Sequence, residues 1–168
     1  MNGRLVVGAV VSTLLLAGCG LQQDLSQVPR LSDGPTGPAT PISAPTLSGT
    51  QFDWSSTRGH VVVLDFWGSW CGPCNAEQPE LNTLASRWAM TGVTFLGVDE
   101  NESSANGAAY ERSFKVPYPS VNDASEVIAS EYNVIDPPTV IIIDSKGNVV
   151  DRFLGTLAGV SADLKRLT

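Results

Sequence analysis

Histidine occurs once, at His60, and cysteine three times, at Cys19, Cys71 and Cys74, in a chain of 168 residues. That scarcity excludes several chemistries. A structural zinc site takes four ligands, usually two cysteine pairs or one pair with two histidines, and this chain offers one close pair and one distant histidine. Haem attachment through Cys-x-x-Cys needs a histidine directly after the second cysteine, where the chain has Asn75. Three cysteines cannot build the dense disulfide framework of a small secreted scaffold. Basic residues are also few, 10 against 17 acidic, so no nucleic-acid partner is expected. The longest apolar run, Leu5 to Ala17, is short for a permanent bilayer span, and neither an internal repeat nor a glycine-rich nicotinamide or flavin motif is present.

What remains is a 42% hydrophobic chain with room for one core. Met1 to Arg4 is a short basic start, and the apolar run after it ends in Leu16-Ala17-Gly18-Cys19. This is the pattern of an export signal. Its end resembles a bacterial lipobox, which implies cleavage after residue 18 and lipid on Cys19; the alternative is a plain secretory signal with a chance cysteine. Either way the chain is expected outside the cytoplasm, where disulfides persist. Residues 19–44 hold Pro29, Pro35, Pro38 and Pro41 among Gly, Ser and Thr, and are read as a tether. The folded domain is expected over 45–168.

Within it, Thr46-Leu47 and Phe52-Asp53-Trp54 suggest a short hairpin around Ser48-Gly49. Val61 to Phe66 is a β-branched run typical of a buried strand. A helix is expected from Cys71 to Met90, with Leu81, Leu84, Ala85 and Trp88 on its core face and a kink at Pro79. There follow a strand at Val93 to Val98, a polar helix at Ser104 to Phe114, an extended Tyr118 to Val121 and a helix at Ala124 to Tyr132. A strand at Thr139 to Ile143, a Lys146-Gly147 turn, a hairpin strand at Val149 to Leu154 and a helix at Ala158 to Leu167 complete the chain. The order implies an α/β fold: a mixed central sheet with helices on both faces.

Cys71 and Cys74 stand where the buried strand gives way to a helix. A structural disulfide across two residues closes too small a loop to restrain the unfolded chain much, so redox use is the reading left. Unpaired amides at the helix start favour a thiolate at Cys71, which is expected to be the solvent-facing nucleophile. Cys74, one turn into the helix and more sheltered, resolves the mixed disulfide. Gly72 lets a partner backbone approach, and Pro73 stiffens the first helical turn at little cost.

The segment Asp65-Phe66-Trp67-Gly68-Ser69-Trp70-Cys71-Gly72-Pro73-Cys74 is similar to the active site of thioredoxin. Pro79, and Pro138 followed by Thr139, match that family's helix proline and its cis-proline facing the thiols. The likeness runs from about residue 45 to 168. The export signal, the N-terminal hairpin and an insertion from about Asp99 to Asn122 resemble the membrane-tethered TlpA/ResA branch. Glu77 matches an active-site glutamate of ResA-type proteins, and Asp65 the buried aspartate of thioredoxin; together they are expected to accept the proton of the resolving cysteine. The alternatives are a solvent-facing strand residue for Asp65 and a surface helix residue for Glu77. The resemblance implies a cis Pro138 shaping a substrate groove with Pro137, Thr139 and the exposed Trp70. Pro137 departs from the family, because it lacks the N–H that would pair with a bound peptide.

The function this implies is a thiol-disulfide oxidoreductase, anchored through Cys19, that reduces disulfides of exported proteins, with apocytochrome c the substrate implied by the ResA resemblance. Electrons come from a membrane donor of the CcdA or DsbD kind. No cofactor or metal is expected beyond the Cys71-Cys74 couple, and the chain is expected to be a monomer. An oxidase of exported proteins is the nearest alternative, and a Cu(I)-binding chaperone the next. His60 is read as structural, Trp54 and Trp88 as core, and Trp67 and Trp70 as one packing and one surface residue.

Overall fold

The computed structural model describes residues 36–168. The export-signal reading and Cys19 lie outside these residues. Six strands form one sheet: β1 (Gly37–Pro38), β2 (Val61–Trp67), β3 (Val93–Glu100), β4 (Ser120–Asp123), β5 (Thr139–Ile143) and β6 (Asn148–Leu154), in the order β1-β6-β5-β2-β3-β4. β3 is parallel to both β2 and β4, whereas β2–β5, β5–β6 and β6–β1 are antiparallel. Among the described residues the α-helices are α1 (Gly72–Trp88), α2 (Ser104–Phe114), α3 (Val127–Glu131) and α4 (Val160–Leu167).

All seven residues of β2 are buried, which explains its lack of apolar/polar alternation: both faces of the sheet are covered. Val61 and Val63 pack with Leu81, Leu84 and Ala85 of α1 and Val160 and Leu164 of α4. Val62, Leu64 and Phe66 point the other way, to Ile128 and Ala129 of α3, Tyr132 and Ile42. Residue 65 shares the parity of 61 and 63, so its side chain belongs to the face that α1 covers.

The expected hairpin is one bridge, Pro45 to Gln51, closed by Thr46 N–H donating to Thr50 O at 2.7 Å. Thr46 also bridges Val121, which fastens the hairpin to β4. Residues 54–57 turn into a 3₁₀ helix capped by Asp53. The helix expected from Ala124 starts only at Val127, because Glu126 takes a left-handed conformation and Asp123 Oδ2 accepts from Ala129 N at 2.8 Å. α1 runs through Pro79, which sits on its exposed side.

The tether boundary at residue 44 needs correction. Gly37–Pro38 pairs with β6, Ala39 N–H donates to Gly147 O, and Tyr132 Oη donates to Thr40 O at 2.6 Å. Ile42 is 2% exposed in the core. Pro38 fits because an edge strand has one unpaired side, where a missing N–H costs nothing. Among the described residues no helix is long and apolar enough to cross a membrane.

Candidate active site

β2 ends at Trp67, and the backbone turns through Gly68 to Trp70 into α1. Cys71 is the N-cap of that helix; its Sγ accepts from Cys74 N at 3.1 Å, and its own N–H donates to Gly68 O. Pro73 occupies the first turn, where an amide would have no partner. Cys71 and Cys74 are joined by a disulfide with Cα atoms 5.3 Å apart. The expected contrast in exposure is small in this oxidised state, 4% for Cys71 and 2% for Cys74. Above the pair the surface is open: Gly72 and Pro73 are exposed, nothing lies within 4 Å of where a Gly72 Cβ would stand, and Trp70 is 54% exposed.

The turn before Cys71 is held from β3 and the loop after it. Glu102 accepts from both the N–H and the hydroxyl of Ser69, and Trp70 Nε1 donates to Glu100 O at 3.1 Å. Trp67 is buried, stacked on Tyr110 with ring centroids 4.3 Å apart. Tyr110, Trp67 and the two cysteines form one apolar cluster beneath the disulfide.

Pro138 follows a cis Pro137-Pro138 peptide. Phe66 pairs with Thr139 in the β2–β5 register, so Pro138, one residue earlier on an antiparallel strand, is level with Trp67 at the edge where α1 begins. Thr139 is buried, its hydroxyl donating to Asp136 O at 2.7 Å.

Asp65 is 1% exposed, which removes the solvent-facing alternative. Its Oδ2 accepts from the Tyr118 hydroxyl at 2.8 Å, while Oδ1 is buried without a partner. Loss of hydration pushes its pKa up to about 7; the Tyr118 hydrogen bond opposes that rise and the Glu77 charge adds to it. Glu77 is half-buried on α1, and burial followed by repulsion from Glu80 raises its pKa. The Glu77 charge is thus felt at Asp65. Two further carboxyls flank the site: burial pushes Asp99 up to about 8 and Glu100 up to about 7.

Four residues escaped the sequence reading: Gln78, Tyr110, Tyr118 and Glu102. Only Gln78 left a signal. It follows Cys74 by four and precedes Leu81 by three, which puts it on the buried stripe of α1, and a glutamine there must find hydrogen-bond partners. Tyr110, Tyr118 and Glu102 are 36, 44 and 28 residues beyond Cys74 and meet the site only through the fold. His60 is exposed beside Gly92 O, and Trp54 and Trp88 are half-buried at the edges of the core. Among the described residues no three His, Cys, Asp or Glu side chains are grouped to hold a metal ion.

A sheet that presents a Cys-Gly-Pro-Cys disulfide at a helix N-terminus, with a cis proline level with it, defines a thioredoxin-like thiol-disulfide oxidoreductase. The chain belongs to the AhpC/TSA family, whose profile matches residues 35–152. It is 32% identical over 157 residues to the thiol-disulfide oxidoreductase ResA of Geobacillus thermodenitrificans, covering 92% of this chain and 89% of that one. A solved thioredoxin-family thiol:disulfide interchange protein of Chlorobium tepidum superposes with a TM-score of 0.70 at 30% identity, over 80% of this chain and 98% of the other. A secreted disulfide oxidoreductase of Mycobacterium tuberculosis, described as homologous to E. coli DsbE, gives 0.67 at 29% identity, over 76% and 96%. The expected fold and the ResA-type oxidoreductase class are therefore borne out.

Proposed function

We propose that this oxidoreductase works as a reductase of disulfides in exported proteins. The observation that carries the reading is the placement of Cys71 as the N-cap of α1, with Asp65 buried on the sheet face that the same helix covers. In the reduced state the helix N-terminus stabilises the Cys71 thiolate. That thiolate attacks a substrate disulfide and forms a mixed disulfide. Cys74 gives its proton to Asp65, attacks Cys71, closes the intramolecular bond and releases the substrate as a dithiol. Asp65 suits this step because its proton affinity lies near neutrality, and Glu77 contributes by holding that affinity up.

Substrate main chain approaches over Gly72 and Pro73, beside Trp70. Pro137 and the cis Pro138 form the opposite wall, and the buried Thr139 anchors it through its hydrogen bond to Asp136 O. With no N–H on Pro137, pairing relies on its carbonyl, a loose grip suited to varied unfolded partners. The N-terminal pattern supports an extracytoplasmic position with lipid on Cys19, and the secreted M. tuberculosis relative is consistent with export. Haem-binding cysteines of apocytochrome c are the substrate suggested by the ResA likeness, with electrons from a membrane donor of the CcdA or DsbD kind.

The test is trapping. Cys74→Ser in the cell leaves Cys71 covalently joined to its partner, which mass spectrometry identifies; equal trapping by Cys71→Ser defeats the assigned roles. A glutathione redox titration then separates reductase from oxidase, with a potential below about −200 mV expected and one well above it favouring the oxidase.

A further inference from the structure

A chain of hydrogen bonds, part-buried at Asn82 and buried from Gln78 onward, runs from α2 to Asp65, and its direction is set at one end by a backbone carbonyl. Phe114 O can only accept, so Asn82 meets it with Nδ2 at 2.8 Å and turns Oδ1 toward Gln78. Asn82 Oδ1 in turn accepts from Gln78 Nε2 at 3.0 Å. The second hydrogen on Gln78 Nε2 goes to Tyr118 Oη at 2.8 Å. Because that oxygen is receiving, the Tyr118 proton points to Asp65 Oδ2. Gln78 Oε1 accepts from Tyr110 Oη at 3.2 Å, and Tyr110 Oη also lies 3.3 Å from Cys74 O. Every polar hydrogen and the oxygen of the Gln78 amide are thus occupied in a side chain only 1% exposed. Flipping that amide would set two oxygens against each other at Asn82, so the polarity is locked. Asp65 Oδ1 is the one atom of the carboxylate left without a partner.

We propose that Asn82, Gln78 and Tyr118 form a one-way relay that reserves Asp65 Oδ2 as an acceptor and makes Oδ1 the atom that takes the proton of Cys74. The proposal rests on the reading of Asp65 as proton acceptor and assigns the atom and the residues that position it. In the step itself the Cys74 S–H bond breaks and its proton goes to Asp65 Oδ1. The Cys74 thiolate attacks Cys71 Sγ, and the Cys71-Cys74 bond forms as the bond to substrate sulfur breaks. The leaving sulfur departs with both bonding electrons and takes a proton from solvent. The substrate disulfide is reduced by two electrons and the enzyme dithiol oxidised.

The relay matters because burial and the neighbouring Glu77 charge both work against the Asp65 charge. Glu77 lies on α1, and the Asp65 charge is itself felt by Glu100 of β3 and Tyr110 of α2, whose proton affinities it raises. Tyr118 alone favours the ionised state, by donating to it. Tyr118 and Gln78 are positioning residues, since neither touches the exchanging sulfurs.

The experiment follows the Asp65 carboxyl by 13C NMR in the reduced full chain, alongside the pH profile of mixed-disulfide resolution. In Tyr118→Phe the ring stays packed on Phe95, and the hydroxyl that donates to Asp65 and accepts from Gln78 is lost. The expected result is titration about one pH unit higher, a roughly tenfold slower resolution at pH 6, and a rate within about twofold of the parent at pH 9. Gln78→Leu frees the Tyr118 oxygen to accept from a protonated Asp65 and moves both readouts the same way by less; it serves if the phenylalanine variant does not fold. A merely structural role lowers the melting temperature and leaves the titration where it was, and that result overturns the relay. Asp65→Asn reads the underlying assignment separately: it should abolish the acid limb of resolution, and persistence of that limb overturns the proton-acceptor role itself.

Discussion

Tyr110 lies flat on Trp67, 4.3 Å between ring centroids and 21° between planes, in the same apolar cluster as the disulfide. The stack joins α2, which belongs to the insertion between β3 and β4, to the last residue of β2. The insertion therefore supplies part of the floor of the site. Tyr110→Ala should lower the unfolding free energy by about 3–5 kcal/mol, the usual cost of emptying a large aromatic site. Tyr110→Phe keeps the stack but leaves Gln78 Oε1 unsatisfied, and should cost about 1–3 kcal/mol. Urea denaturation of the oxidised proteins measures both; equal losses would mean that the ring contributes nothing beyond its hydroxyl.

Asp65 makes stability fall as pH rises. Its carboxyl ionises near 3.8 in the unfolded chain and at about 7 when folded, so between those values the native state binds more protons than the unfolded one. The contribution is fully present below pH 4, declines across that window and is lost above about pH 7. Asp99 and Glu100, raised to about 8 and about 7, slope the same way. Asp65→Asn removes the ionisation while keeping an oxygen for Tyr118. At pH 8 it should be more stable than the parent by on the order of 4 kcal/mol, with the gap closing as pH falls to 4. Melting temperatures at pH 4, 6 and 8 test this; a gap independent of pH would place the ionisation elsewhere.

The local grammar of the chain was readable where an element carries its own signal. The β-branched run of β2, the apolar spacing on α1 and the Pro-Gly punctuation around β5 and β6 placed those elements within a residue or two. The dithiol and its helix cap were equally plain, because the chemistry is contained in four consecutive residues. What failed was long-range. Pro38 and Pro41 give residues 36–44 the composition of a linker, and only the open edge of β6 turns them into structure. Asp65 was visible as an oddity in an apolar strand, but its partner Tyr118 is 53 residues away. No local pattern ties a carboxylate to a hydroxyl across that distance, since the parallel β2–β3–β4 order alone brings them together.

Gly97 is a further residue whose importance only the packing reveals. It pairs with Asp65 in the β2–β3 register, and a Cβ there would come within 2.2 Å of Ser120 Oγ and 2.7 Å of Trp67 Nε1. Gly97→Ala must therefore displace Ser120 or the Trp67 indole, at a cost of about 1–3 kcal/mol for overpacking. Moving the space across the strands, with Gly97→Ala and Ser120→Gly together, should recover part of that loss. The double-mutant cycle should give a coupling of about 0.5–2 kcal/mol. Strict additivity would show that Trp67, not Ser120, absorbs the clash.

The N-terminal boundary of the folded unit follows from the same packing. A protein begun at residue 45, as the proline-rich composition invites, loses β1, the Ala39 to Gly147 hydrogen bond and the acceptor of the Tyr132 hydroxyl. It also uncovers the pocket that Ile42 fills against Val62, Leu64 and Ile143. Burial of one isoleucine contributes about 1.5–3 kcal/mol, and the lost hydrogen bonds add about 0.5–1.5 kcal/mol each. The shortened protein should thus be less stable than one begun at residue 36 by about 3–5 kcal/mol. Its disulfide exchange in the native state should be little changed, since β1 lies at the sheet edge opposite β4, with β6 and β5 between it and β2. Parallel urea titrations and insulin-reduction assays on the two lengths separate stability from activity. Equal midpoints would mean that residues 36–44 rest on the sheet without holding it.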